Sequence, residues 1–316
     1  MLYDVIIIGA GPAGVAATVY VARKKLKVLL ITDSFGGQSI VSDDIQNWIG
    51  EKSISGFDLA KKLEDHVKNF NKEIEIKEGR QAVGIKKINC PDGLYECNFE
   101  VTTDQNNKYI SKTLILASGA RRRKLGVKGE QEFEGRGVAY CSTCDAPLFN
   151  GRDVAVVGGG NSGGEAVVDL LPYTNKIYLL NRSDILKADL VTQDQIRNNK
   201  KVSLIMNAEI LEILGDQFVS GLKYKDNKTG EEKQIEVQGV FVEIGSIPNS
   251  EIVKDLVELD RFGQVVIDSK HATTSQPGIF AAGDITDDPY KQNNISAGDG
   301  VKAALAAYAY ILQLHK

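Results

Sequence analysis

Two cysteines stand three positions apart in GVAYCSTCDAPLF, residues 137–149, with an aspartate directly after the second. Cys141 and Cys144 could hold a metal, staple the fold or exchange electrons. A structural zinc site needs four ligands, usually two Cys-rich pairs. The other cysteines, Cys90 and Cys97, flank an expected hairpin turn, and His66, His271 and His315 are scattered. No metal is expected, and Cys90 and Cys97 read as ordinary strand packing. A staple across so short a loop removes little unfolded-state entropy. The same short loop suits thiol exchange, because one thiol can attack while its neighbour resolves. Asp145 is positioned to shuttle the proton that exchange releases; its plainer role would be a turn or helix N-cap residue.

A redox pair needs elements that hold it and bring electrons to it. One internal similarity supplies them. DVIIIGAGPAGVAATVYVARKKLKVLLITDS begins at Asp4, and DVAVVGGGNSGGEAVVDLLPYTNKIYLLNRS begins at Asp153. The two align without a gap, Gly9 on Gly158 and Asp33 on Arg182. Each reads as an apolar strand, a glycine turn, an amphipathic helix and a second apolar strand, the order of a right-handed parallel crossover. Gly9, Gly11 and Gly14 allow a tight turn, close approach of a pyrophosphate and close helix packing; Gly158, Gly160 and Gly163 do the same. Two such turns point to two nucleotides.

Between the copies, residues 56–70 have helical spacing, and QAVGIKKIN and LYECNFEVTT alternate as strands around a CPDG turn. KTLILASGA and GIFAAGD read as strands running into loops. QIEVQGVFVEIG closes the second nucleotide unit, and an alanine-rich helix runs from about Ile295 to Leu314. The expected fold is α/β, with two Rossmann-like nucleotide-binding domains of three ββα layers, the second inserted into the first. Residues 1–117 and 247–316 would form one domain and 118–246 the other. Two linkers, Ser118–Arg122 and Gly245–Asn249, permit hinge motion.

The bulk properties set limits. The chain has 316 residues, 42% hydrophobic and 25% charged, with a net charge of −4, the balance of a soluble globular protein of two domains. It has no basic stripe for nucleic acid or anionic membrane. The start MLYDVIII lacks a basic n-region and a small-residue cleavage site, so it is not expected to be a signal peptide, and no apolar run is long enough to be expected to span a bilayer. A cytoplasmic location is expected, where a disulfide is more often catalytic than structural.

In this order, the motifs resemble the low-molecular-weight thioredoxin reductases, FAD-containing pyridine nucleotide-disulfide oxidoreductases, over nearly the whole chain. GAGPAGVAA resembles the family's FAD pyrophosphate turn, GGQ and IQNWIG its following elements, ASGA its A-T-G-A, and FAAGD and YKQNNISAGDG its C-terminal flavin segment. CSTCD sits where the family keeps its active disulfide. The resemblance implies an FAD site at Gly9, Gly11, Pro12, Ala13, Gly14, Asp33, Gly37, Gln38, Asn47, Val83, Ala117, Ser118, Gly119, Gly283, Asp284, Lys291, Gln292 and Asn293. It implies a nicotinamide nucleotide, NADH or NADPH, at Gly158, Gly160, Asn161, Ser162, Gly163, Asn181, Arg182, Lys187, Ile244 and Gly245. Cys144 would face the flavin, Cys141 would attack the partner, and Asp145 would be the acid/base. The last helix would aim its N-terminus at the flavin. The implied protein is a homodimer that passes electrons to a thioredoxin-like protein.

Two departures bear on this. Ala146 stands where the family usually has glycine. More important, NRSDILK replaces the family's H-R-R-x-x-x-R, leaving Arg182 and Lys187 but not the other arginines. A 2′-phosphate wants arginine forks. Asn181 lacks the charge by which NAD enzymes reject NADPH. Weak nicotinamide use is therefore expected, with NADH equal to or better than NADPH. Other readings are a redox-sensing FAD/NAD-binding protein with little turnover, a reductase with a donor such as ferredoxin, and the reductase component that serves a peroxiredoxin.

Overall fold

The computed structural model describes residues 1–42, 44–88 and 97–314. The chain divides into two compact units, 1–121 with 247–316, and 122–246.

The chain opens with β1 (Leu2–Ala10), α1 (Pro12–Arg23), β2 (Val28–Phe35), α2 (Gly56–Lys68) and β3 (Ile74–Glu78). β4 (Ala82–Ile88), β5 (Asn98–Thr103) and β6 (Lys108–Leu116) follow. β1 lies between β2 and β6, with Ile6 opposite Leu29 on one side and Leu114 on the other. Parallel strands are covered on both faces, which is why DVIII and VLLI read as unbroken apolar runs. Val5 and Ile7 enter one buried cluster with α1, while Ile6 and Ile8 enter a second on the opposite face. Each such side chain contributes roughly 1.5–3 kcal/mol. Cys97, read as packing, is instead disulfide-bonded, a correction; Cys90 and the turn after it lie outside the described residues.

The first crossing is β7 (Ala120–Arg122). The inserted unit continues with β8 (Val138–Ala139), α3 (Ser142–Asp145), β9 (Asp153–Val157), α4 (Asn161–Leu170), β10 (Lys176–Asn181) and α5 (Leu190–Arg197). Then come β11 (Val202–Met206), the antiparallel β12 (Ala208–Gly215), β13 (Val219–Asp226) and β14 (Glu232–Glu236), and β15 (Gly239–Val242). Its parallel sheet has the order β11-β10-β9-β15-β8. The plan of the first unit repeats: β9 has β10 on one side and β15 on the other, Val156 facing Leu179 and Phe241.

β16 (Ser246–Pro248) returns the chain and pairs with β7. The unit boundary thus falls at 121/122, slightly later than the expected 117/118, because residues 118–121 are tied to the first unit. Ser118 Oγ donates to Asn249 O at 2.9 Å, and Asn249 Nδ2 donates to Ser118 O at 2.8 Å. β17 (Ile279–Ala281) joins the first sheet beside β6, and α6 (Asn293–Gln313) ends the fold. α6 packs tightly on α1: a Cβ on Gly300 would overlap the Ala13 carbonyl. Among the described residues no helix is long and apolar enough to cross a membrane.

Candidate functional site: two glycine turns and a cysteine pair

Both glycine turns use their three glycines in the same way. A Cβ on Gly9 would strike the Ala117 carbonyl after β6, and one on Gly158 the Glu243 carbonyl after β15. Both glycines have positive φ, +100° and +132°, where side chains are strained. Gly14 and Gly163 each press on the first glycine's carbonyl. The middle glycines differ from these. A Cβ on Gly11 would meet only Gly37 Cα at 3.7 Å, and one on Gly160 would meet nothing within 4 Å. Those open positions form a cradle that a side chain would fill.

The helix starts fit the same use. Among helices of eight residues or more, α2 and α5 are capped by the Ser55 and Asp189 side chains. α1, α4 and α6 have no side-chain cap, and none carries an acid in its first turn. Their leading N–H groups and positive dipole ends suit an anion. These are the three helices the resemblance assigns to cofactors.

In the first unit, segments distant in sequence converge by the start of α6. Gln38 Nε2 donates to Asp284 Oδ2 at 3.2 Å, and Asn47 Nδ2 to Gln292 Oε1 at 3.2 Å. Ser39 Oγ donates to Asn293 Oδ1 at 2.8 Å. Gly283 packs on Ala13, and its positive φ of +76° turns the chain there. Asp33 is exposed at the end of β2, where its carbonyl takes the Gly79 N–H at 3.1 Å. Val83, on β4, is exposed. Gly119 adjoins the Ser118–Asn249 tie. Lys291 is turned inward: its Nζ donates to Thr286 O at 2.6 Å. Burial holds its pKa below the usual lysine range, against the pull of Asp284 and its neighbours.

In the second unit, Pro12's counterpart Asn161 accepts the Asp189 N–H through Oδ1 at 3.0 Å, and Ser162 is exposed. Asn181 is buried, and its Nδ2 donates to Ser183 O, Ser183 Oγ and Ile185 O at 3.0, 3.1 and 2.8 Å. Its donors therefore fold the loop and do not face outward. Arg182 is exposed and lies 4.0 Å from Glu209. The Lys187 side chain is exposed, while its N–H donates to Gly159 O at 2.7 Å. Ile244 is half-buried and Gly245, with φ +94°, is exposed beside it.

Cys141 and Cys144 form a disulfide with Cα atoms 5.3 Å apart. Cys141 precedes α3, and Asp145 ends it; the Asp145 N–H donates to Cys141 O at 3.0 Å. The Asp145 carboxyl caps nothing. Burial pushes it up to about 6, against the attraction of Arg122. A carboxyl in that range can hold or release a proton near neutrality. The chain before Cys141 is anchored by the buried Glu130. It accepts the Leu125 and Gly126 N–H groups at 2.8 and 2.7 Å and the Tyr140 hydroxyl at 3.1 Å. The Tyr140 hydroxyl is correspondingly pushed up, chiefly by burial and then by the Glu130 charge. Asp169 of α4 joins them, its Oδ2 accepting from Ser142 Oγ at 2.9 Å and Thr143 Oγ1 at 3.0 Å, and burial pushes the carboxyl of Glu243, directly after β15, up to about 7. Arg122, Glu130, Asp169 and Glu243 were not expected here. Only Glu243 left a sequence signal, an acid ending the apolar run GVFV.

The geometry defines an α/β protein of two units, each with a strand–glycine turn–helix element, and a disulfide in the inserted unit. The family model of the pyridine nucleotide-disulphide oxidoreductases matches residues 3–308, and the chain belongs to that family. The chain is 44% identical over 311 residues to a Bacillus subtilis protein named NADH dehydrogenase, covering 98% of this chain and 59% of that one. It is 42% identical to a Pseudomonas aeruginosa component of alkyl hydroperoxide reductase, covering 98% and 58%. The chain thus spans under two thirds of these curated relatives. The thioredoxin reductase of Streptococcus pyogenes superposes with a TM-score of 0.89 at 37% identity, covering 99% of both chains.

Proposed function

We propose that this chain is an NAD(P)H-dependent flavoprotein disulfide reductase whose Cys141–Cys144 pair delivers electrons to a thioredoxin-like protein. The observation that carries it is the disulfide beside the raised carboxyl of Asp145, in the unit that also bears the second glycine turn. The first unit would hold FAD on Gly11, the α1 N-terminus, Gln38, Asp284 and the α6 start. The second would hold the nicotinamide nucleotide on Gly160 and the α4 N-terminus. FAD, when bound, supplies the conversion of a two-electron hydride into dithiol reduction. In the reduced chain, the Cys141 thiolate attacks the acceptor's disulfide and displaces one acceptor thiolate. Cys144 then attacks the mixed disulfide, re-forming Cys141–Cys144 and releasing the second acceptor thiolate. Asp145 holds the proton lost by Cys144 and passes it to that leaving sulfur.

A second reading has a peroxiredoxin as the final acceptor; it is favoured by the relatives named for alkyl hydroperoxide reductase. The protein in either reading is a cytoplasmic homodimer. The test is steady-state nicotinamide oxidation by the FAD-reconstituted chain with thioredoxin, and separately with thioredoxin plus a peroxiredoxin and hydroperoxide. Both rates should vanish in Cys141→Ser and Cys144→Ser. Turnover that persists in either variant, or a flavin-loaded chain without turnover, would overturn the proposal.

A further inference from the structure

The two residues between the cysteines share one acceptor on another element. Ser142 Oγ donates to Asp169 Oδ2 at 2.9 Å, and Thr143 Oγ1 donates to the same oxygen at 3.0 Å. Ser142 is buried and Thr143 is exposed, so the clamp spans the turn from its inner to its outer side. A buried hydroxyl needs a partner, and a carboxylate is a stronger acceptor than a neutral oxygen. Asp169 is the penultimate residue of α4. The helix that opens at the second glycine turn therefore also holds the cysteine turn, roughly 12 Å further along its axis.

The turn needs such support. α3 is a single turn of helix, Ser142–Asp145, bonded along its backbone from the Asp145 N–H to Cys141 O and from the Ala146 N–H to Ser142 O. A helix this short does not hold itself together in water. Its flanks are fixed by neighbours. Before it, the Tyr140 hydroxyl donates to Glu130. After it, Phe149 packs edge-on against Phe241 with ring centroids 4.8 Å apart. Within the turn, the disulfide ties Cys141 to Cys144. Reduction removes that covalent tie. The bonds to Asp169 come from the residues between the sulfurs, so opening the S–S bond breaks neither of them.

We propose that Asp169 is a positioning residue that keeps the reduced Cys141–Cys144 turn ready to close, and so makes the pair a stronger reductant. This rests on the reading of the pair as redox-active. In the closing step the Cys144 thiolate attacks Cys141 Sγ of a mixed disulfide. The Cys141–Cys144 bond forms and the bond to the acceptor sulfur breaks. The acceptor sulfur leaves as a thiolate with the electron pair and takes up a proton. Turn conformers that separate the two sulfurs cannot take this step. The clamp on Ser142 and Thr143 disfavours those conformers, which raises the effective concentration of one sulfur at the other. The coupling is reciprocal: closing the disulfide strengthens the clamp by the factor with which the clamp favours closing. A pair that closes more readily gives up its two electrons more readily, and its reduction potential is lower.

The experiment equilibrates the full chain with reduced and oxidised glutathione at pH 7 without oxygen. Oxidised glutathione takes two electrons and two protons from the dithiol and becomes two reduced glutathiones. Acid quenching, alkylation and mass spectrometry of the peptide that holds both cysteines give the equilibrium constant of this pair alone. Asp169→Ala should lower the constant for closing about tenfold, a rise of about 30 mV in potential. Ser142→Ala with Thr143→Val removes both donors and leaves α4 untouched, and it should lower the constant to a similar extent. Adding Asp169→Ala to that pair should change it by less than about twofold. Asp169→Asn keeps an oxygen acceptor without the charge and should fall between wild type and Asp169→Ala. A change under about threefold in Asp169→Ala overturns the proposal, as do effects that multiply in the triple variant. If Asp169→Ala does not fold, the variant lacking both hydroxyls decides by the same threshold. A pair that neither glutathione nor dithiothreitol opens removes the disulfide-reductase reading and this one together. A pair that exchanges but is indifferent to Asp169 removes this one alone.

Discussion

Asp145 is an ordinary aspartate placed where ionisation is costly. Its folded pKa, about 6, lies above the unfolded 3.8. A raised acid favours the folded state while protonated, so its stabilisation is full below about pH 4 and is lost as pH rises through 6. Asp145→Asn should therefore raise the unfolding free energy at pH 8 relative to wild type by on the order of 1–3 kcal/mol, seen as a higher Tm, and leave both little changed at pH 4. Equal shifts at both pH values would count against the burial argument. Disulfide reduction by the same variant should fall at least tenfold. Donor choice also rests on single side chains. Arg182 is the one arginine left in NRSDILK, and it already faces Glu209. Losing a bidentate arginine contact costs on the order of 1.5–3 kcal/mol, or about ten- to hundredfold in affinity. The expected kcat/KM for NADH is equal to or above that for NADPH. A tenfold preference for NADPH in steady-state kinetics would show that Arg182 and Lys187 suffice.

At the level of elements, the three glycines of a turn differ in what a side chain would meet. Gly160 opens on empty space, while Gly163 presses on the Gly158 carbonyl. Gly160→Val should fold with nearly unchanged Tm and lose nicotinamide nucleotide affinity by more than about tenfold, since the side chain fills the cradle. Gly163→Val should lose roughly 2 kcal/mol or more of stability by forcing α4 off β9. Thermal unfolding and nucleotide titration on both variants separate the two effects. Similar destabilisation by both would mean that the Gly160 position is structural.

Across the whole chain, the hydrophobic clusters respect the division into units. Those built on Val5, Ile6 and Ile45 draw only on 1–121 and 247–316, and those built on Ala155 and Val156 only on 122–246. Each unit therefore has its own core, and β7 with β16 brings the two crossings side by side. Residues 122–246 alone should unfold cooperatively by circular dichroism and carry a disulfide that dithiothreitol reduces. The remaining segments, joined by a short glycine linker from 121 to 247, should still bind FAD. A fragment that stays unfolded would show that the units depend on one another for stability.

The nucleotide units were legible because their signals are local. An apolar strand, a glycine turn and a helix occupy about thirty consecutive residues, so DVIIIGAGPAG and DVAVVGGGNSG announce β1–α1 and β9–α4 by themselves. The last helix was legible for the same reason, and the cysteine pair by its spacing alone. What surrounds that pair was not. Asp169 lies on α4, Glu243 directly after β15 and Arg122 on β7, and only the packing of these separate elements brings Asp169 to Ser142 and the Arg122 charge to Asp145. Asn181 looked available to a ribose, yet its amide is spent on the loop at 183–185. Residue type and neighbours along the chain determine which backbone forms. Burial and charge at a carboxyl depend on groups from distant segments, so its proton affinity is decided only when the tertiary structure brings them together.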